Sequence, residues 1–415
     1  MKQVVVTAIV CALCCMFVVS TAQADKEAGT PLTYTVQLDV VHQEFDGTFC
    51  WFHARAGAIP GAGKDGNPAV IMALQKWFLK SSDFFSGLSV MRTDDLGKTW
   101  TGPTAQPALA WRKEPGGITV GVCDITPGWH PQTKKLLAIG HTVRYKNDKL
   151  MAEPRPRETG YAVYDPATNT WTPWKTLKMP DKNKFFSAGA GCAQWLAQPD
   201  GTLLIPIYYK PKSNDYYEPA SATVLRCSFD GTTLKYMEQG NDLTLDIPRG
   251  LDEPSITFFQ GRYYMTIRND KRGYVTVSDD GLHYAPIKPW TFDDGEDLGS
   301  YNTQQHWVTH SDGLFLVYTR RGANNDNIMR NRAPLFIAQV NPEKLCVIRN
   351  TERILIPNRG ATLGNFGVTT VNANESWVTV GEGMYGDAAK RGANGSVFAA
   401  RIIWSKPNKL AGRVR

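Results

Sequence analysis

The sequence predicts an all-β fold built as a radial array of small sheets. Six blades of a β-propeller is the expected count, with seven as the alternative. Three observations predict it. The chain holds 37 Gly, 12 Trp, 16 Tyr and 17 Phe, while segments with helical periodicity are few. Six blocks of roughly 45–60 residues each carry three or four short apolar or alternating runs. Hairpin signals punctuate the blocks at Asp200-Gly201, Asp230-Gly231, Asp280-Gly281 and Asp312-Gly313.

Taken in order, the first 24 residues read as a leader outside the fold. Lys2 is followed by the apolar run 4–19 and by Ala22-Gln23-Ala24, a small-x-small cleavage site. Leu13 before Cys14 is too large for a lipoprotein site. The expectation is a signal peptide at 1–24, one domain over 25–415, and a secreted or periplasmic protein. No later run is long enough to span a bilayer, so no membrane partner is expected after cleavage. Residues 33–40 are expected to supply an outer strand to the last blade and close the ring.

Block one, 49–100, has runs at 49–55, 69–74 and 88–93; block two, to 174, at 117–123, 135–143 and 160–164. Block three, 192–237, has 203–209 and 222–227. Block four, 250–284, has 256–259, 263–267 and 274–277. Block five has 305–309, 314–319 and 334–340; block six has 366–371, 377–380 and 396–404. A seventh blade requires strands hidden in connections such as 324–332. In block four, Glu253 precedes the first strand and Arg268 ends the second. An up-and-down meander puts both at one end of the sheet, so a carboxylate and a guanidinium share a rim.

The sharpest turn is Thr93-Asp94-Asp95-Leu96-Gly97-Lys98-Thr99-Trp100. Asp95 can accept backbone N–H groups across it, Gly97 allows positive φ, and Trp100 plugs the gap between sheets. This octapeptide resembles the Asp box, S/T-x-D-x-G-x-T-W, of the sialidase (neuraminidase) superfamily. Residues 278–284 resemble a shortened form and 228–231 a weaker one.

The resemblance implies a site. Sialidase chemistry acts on a sugar with a carboxylate on its anomeric carbon. Three arginines clamp that group, a Tyr activated by a Glu attacks, and an Asp serves as acid and then base. Carried onto this chain, it implies Arg55, Arg268 and Arg320 as the clamp, with Arg321 competing for the third place. Asp83 is implied as acid/base, Glu253 as the partner of the nucleophile, and Tyr385 as the nucleophile, with Tyr301 as rival. The family's first-blade Arg-Ile-Pro is here spread over Arg55-Ala-Gly-Ala-Ile-Pro60. The implied activity is a secreted exo-glycoside hydrolase removing a terminal acidic sugar, sialic acid or a relative.

A second constellation resembles propeller polysaccharide lyases of the ulvan-degrading kind. His141, Tyr208 and Arg226 occur in the order of base, acid and carboxylate-neutralising arginine. The implied substrate is a uronate-containing glycan. His306, beside Trp307, could stack on sugar or pack in the core. A non-catalytic glycan-binding propeller is the third reading.

The formal charge is +7, or +6 once Lys2 leaves with the leader, and the basic residues are dispersed. A mildly basic surface suits an acidic glycan; nothing points to nucleic acid. No cofactor or metal is expected. His130 and His141 lack further zinc ligands, and the acidic turn 293–297 lacks calcium-loop spacing. Five cysteines follow the leader, Cys50, Cys123, Cys192, Cys227 and Cys346, and read as buried free thiols.

Overall fold

The computed structural model describes Met1 and residues 32–213 and 218–412. Apart from Met1, the expected leader lies outside the described residues. The described strands pair into six antiparallel sheets, and the described helical turns are all short 3₁₀ segments.

Five of the sheets are meanders taken in chain order. They begin with Phe49–Ile59, Arg112–Glu114, Ser187–Gly189, Asp252–Phe259 and His306–His310, and in the second the long strand Ile118–His130 follows Arg112–Glu114. The sixth is different. Gly367–Thr370, Glu375–Gly381 and Ser396–Trp404 are completed by the early strand Tyr34–Gln43, with Tyr34 opposite Trp404. The two ends of the fold therefore close on each other through a backbone ladder.

Strands in most of these sheets are apolar on both faces because each sheet is sandwiched between two others. On Leu203–Lys210, Leu203 and Ile205 pack against Leu137 and Ile139 of the preceding sheet. The intervening Leu204 packs against Ile256 and Met265 of the next. The two-residue period of a strand sends alternate side chains to opposite neighbours. The same holds around the circle. Tyr264 and Val275 meet Leu314 and Leu316, Val317 meets Val378 and Ala400, Trp377 and Ala399 meet Val70 and Met72, and Ile71 meets Val120 and Leu136. The last sheet thus packs on the first, which is a propeller arrangement.

Near the axis, polar groups repeat the circuit. Arg55 donates to Asp124 Oδ1 (3.0 Å) and contacts Cys192 Sγ (3.1 Å). The Gln194 N–H donates to Ser255 Oγ (3.1 Å), which bonds His306 Nδ1 (2.9 Å). Gln304 donates to the Phe366 carbonyl, and Arg55 Nε donates to the same oxygen, both at 3.3 Å. Gly367 makes the last approach possible, since a Cβ there would lie 2.7 Å from Arg55 Cγ.

In the 93–100 turn, Asp95 accepts from the Thr99 N–H (2.9 Å), the Thr99 hydroxyl (2.6 Å) and the Thr93 hydroxyl (3.0 Å). Trp100 rests on Trp377 of the adjacent sheet, 6.1 Å between rings. At 278–283, Asp280 accepts from the Leu282 and His283 N–H groups. The 324–332 connection holds a 3₁₀ turn, Met329–Asn331. Cys50, Cys123, Cys192, Cys227 and Cys346 are all buried and unpaired.

Candidate functional site

Three of the axial strands carry a β-bulge. Pairing slips between Phe52 and Arg55, between Cys123 and Thr126, and between Asp252 and Ser255. His53, Asp124 and Glu253 sit in these bulges with φ of 53°, 54° and 47°. A bulge re-aims a side chain out of the strand's alternation, and left-handed backbone in a non-glycine residue must be held by its surroundings. All three side chains line one cavity of about 170 Å³. Asp83 and Arg330, on connecting loops, line it as well and share the left-handed conformation, at 50° and 59°. A second recess of about 430 Å³ adjoins it; Arg155, Arg157, Tyr208 and Arg249 line both.

Cations dominate the walls: Arg155, Arg157, Arg249, Arg268, Arg330 and Arg332. Arg268 is paired with Glu253 at 2.5 Å, Arg155 with Glu153 at 3.1 Å, and Arg249 with Asp252. Among the described residues, Arg157, Arg330 and Arg332 have no carboxylate partner. Arg332 is 7% exposed. It donates to the Asn302 carbonyl and Asn365 Oδ1, and its Nε has no partner among the described residues. Burial, then Arg268 and Arg330, push its pKa down to about 9. A buried guanidinium without a counterion favours an anion from outside.

The second feature is a tyrosine–histidine–aspartate line. His141 Nδ1 lies 3.1 Å from the Tyr208 hydroxyl, and its Nε2 lies 3.6 Å from Asp124 Oδ2. Burial, then Arg157, pushes the imidazole down to about 3, so it is neutral at ordinary pH. Burial pushes the Tyr208 phenol well up. Burial would raise Asp124 too, but His53, Arg55 and His141 outweigh it and hold the carboxylate well below its usual range. With Nε2–H turned toward Asp124, Nδ1 is left to accept the Tyr208 proton. The Arg157 guanidinium lies 5.0 Å over the Tyr208 ring.

The structure brings together Asp83, Glu253, Arg268, His141 and Tyr208. It places the other expected site residues elsewhere. Arg55 is fully buried beneath the cavity, with Nε, Nη1 and Nη2 all engaged in the axial circuit. Arg320 is neutralised by Glu352 at 2.7 Å and lies by the Phe292 and Phe336 rings. Arg226 pairs with Glu238 at 2.8 Å on the sheet edge. Tyr385 is 51% exposed and stacks on Trp77. Its rival Tyr301 bonds Asn331 and lies under Arg321. His306 is buried against Phe366.

Sequence reasoning passed over Asp124, His53 and the arginines at 155, 157, 249, 330 and 332. One signal was available: Pro154-Arg155-Pro156-Arg157 is a stiff extended tetrapeptide that holds two cations at fixed spacing. His53, Cys123 and Asp124 offer ligand atoms within 4.8 Å of one another. Arg55, 3.0 Å from Asp124, already supplies the positive charge there, so the cluster does not fit a metal well.

No protein-family model matches the chain, and no curated protein matches it. Solved structures do. A Dyadobacter fermentans protein of unknown function superimposes with a TM-score of 0.63 at 13% identity, over 90% of this chain and 99% of its own. Trypanosoma rangeli sialidase gives 0.56 at 13% identity, over 88% of this chain and 59% of that one. The Hadza microbial sialidase Hz136 gives 0.55 at 12% identity, over 85% and 65%. At these identities the likeness is one of fold: the chain has a sialidase-like β-propeller.

Proposed function

We propose that this chain is an exported enzyme that cleaves a uronate-containing glycan by β-elimination, on a six-bladed propeller in which each sheet is one blade. The carrying observation is the Tyr208–His141 pair in a cavity walled by arginines that lack carboxylate partners. The anion-seeking Arg332, with Arg157 and Arg330, receives the uronate carboxylate. This neutralises the charge that builds up when the neighbouring C–H proton leaves. The Tyr208 oxygen takes that proton from C5 while its own passes to His141 Nδ1. The C–H electrons form the C4–C5 double bond and the bond from C4 to the glycosidic oxygen breaks. The leaving oxygen takes a proton from Tyr208, and His141 returns the first one. Asp124 stabilises the transient imidazolium.

A second reading is favoured by Asp83, Glu253 and Arg268 in the same cavity and by the Asp-box-like turns. It is an exo-hydrolase of sialidase type, with Asp83 as acid. Tyr208, the tyrosine that lines the cavity, then serves as nucleophile in place of Tyr385.

The test is to incubate the protein with uronate polysaccharides and with a fluorogenic sialoside. Appearance of the ultraviolet band of an unsaturated uronate, lost in Tyr208→Phe, supports elimination. Sialoside hydrolysis without that band replaces it with the second reading. Silence in both with retained glycan binding leaves a binding propeller and overturns the enzyme.

A further inference from the structure

A second cationic groove, of about 790 Å³, lies on the flank where the second and third sheets meet. Lys175, on the short strand Lys175–Thr176 of the second sheet, and Lys178 just after it line the groove with Lys235 on the third sheet's edge strand, Leu234–Gln239; Arg112 joins them. The two sheets are stitched beneath it. Lys175 Nζ donates to the Thr232 carbonyl (3.1 Å), and the Leu234 N–H donates to the Tyr161 hydroxyl (3.2 Å).

None of these four cations forms an ion pair among the described residues, and no acidic residue lines the groove. Several surface arginines elsewhere are compensated: Arg92 by Asp94, Arg144 by Glu114 and Glu158, Arg262 by Asp279, Arg349 by Asp294 and Glu296. The groove is also shaped. The Arg112 guanidinium lies flat on the Trp174 indole at 3.6 Å and donates to the Trp174 carbonyl, so its free edge is held in one place. Partial desolvation against the indole lowers its pKa. Met179, Pro180, Leu234 and Tyr236 supply apolar surface between the charges.

We propose that this groove binds a linear anionic polysaccharide through its carboxylate or sulfate groups, as an accessory site separate from the central cavity. Repeating acidic sugars present anions at intervals with apolar ring faces between them, which matches cations spaced around an apolar floor. Nucleic acid fits less well, because Arg112 already covers the indole on which a base would stack. The assignment does not depend on the reaction in the central cavity.

The test is affinity electrophoresis of the full chain in gels containing polygalacturonate, dextran sulfate or neutral dextran, with a DNA oligonucleotide as a fourth probe. Tyr208→Phe is run alongside. Retardation by an acidic glycan is expected in both the wild type and Tyr208→Phe, and added salt weakens it. The triple variant Lys175→Ala/Lys178→Ala/Lys235→Ala weakens binding about tenfold or more, with an unchanged thermal midpoint. Should the triple variant be unstable, Lys178→Glu, whose exposed side chain makes no hydrogen bond or ion pair among the described residues, gives the same readout. The two acidic gels separate carboxylate from sulfate recognition. The proposal is overturned if the variants bind within about twofold of wild type. Equal retardation by neutral dextran, DNA bound more tightly than either glycan, or no retardation at all would overturn it too.

Discussion

Arg332→Met should make the protein more stable and less able to hold its substrate. The guanidinium is 7% exposed, has no carboxylate partner among the described residues, and faces Arg268 and Arg330. From an ordinary value of 12.5 down to about 9 corresponds to roughly 5 kcal/mol of cost for keeping the charge there. Methionine fills much of the same space without the charge. It leaves the Asn302 carbonyl and Asn365 Oδ1 without their donor, a loss of about 1 kcal/mol each. Both residues are only half-buried, so water can replace part of it. The net expectation is a gain of about 3 kcal/mol. The assay is urea unfolding at neutral pH, with and without a simple uronate such as galacturonate. Wild type should gain stability from the added anion by mass action, and the variant should not. If Arg332→Met is less stable than wild type without any anion, or if galacturonate protects both chains equally, the cavity is not waiting for a carboxylate.

Other expectations follow from the same geometry. Tyr208→Phe removes the hydroxyl facing His141 Nδ1; turnover should fall by about 10²–10⁴ with a thermal midpoint close to wild type, and unchanged turnover would remove the proton relay. Asp124→Asn strips the counter-charge from fully buried Arg55; a loss of about 3–5 kcal/mol is expected in urea unfolding, whereas a neutral result would mean that Arg55 is compensated elsewhere. His141 and His306 are both pushed from 6.5 to about 3, chiefly by burial. The unfolded chain therefore binds their protons below its own pKa while the fold refuses them until near 3, so stability is complete above about 6.5 and is lost as pH falls toward 3. Unfolding free energies from urea titrations at about pH 7 and about pH 5 should differ by roughly 2 kcal/mol for each histidine; a flat profile would show that neither is buried in its neutral form.

The sequence by itself determined the class of fold. A run such as 203–209, apolar at every position, can be buried only if both faces of its sheet are covered, and six such blocks in series demand a stack of sheets. Turn chemistry was equally local: Asp95 and Gly97 act within eight residues, so their roles can be read from spacing. The Glu253–Arg268 pair was legible for the same reason, since two adjacent strands fix it. Which cations meet around the axis was decided only by the tertiary structure. Arg226 has a carboxylate on the adjacent strand, Glu238, and Arg320 has Glu352 in the turn just before the strand Arg353–Ile356, and those partners take them out of play. Arg157 and Arg332 are 175 positions apart, and ring closure brings both to the cavity. Bulges at His53, Asp124 and Glu253 reverse the side-chain direction that alternation would assign. A bulge depends on what the neighbouring strand offers for pairing, so it leaves no trace in local composition.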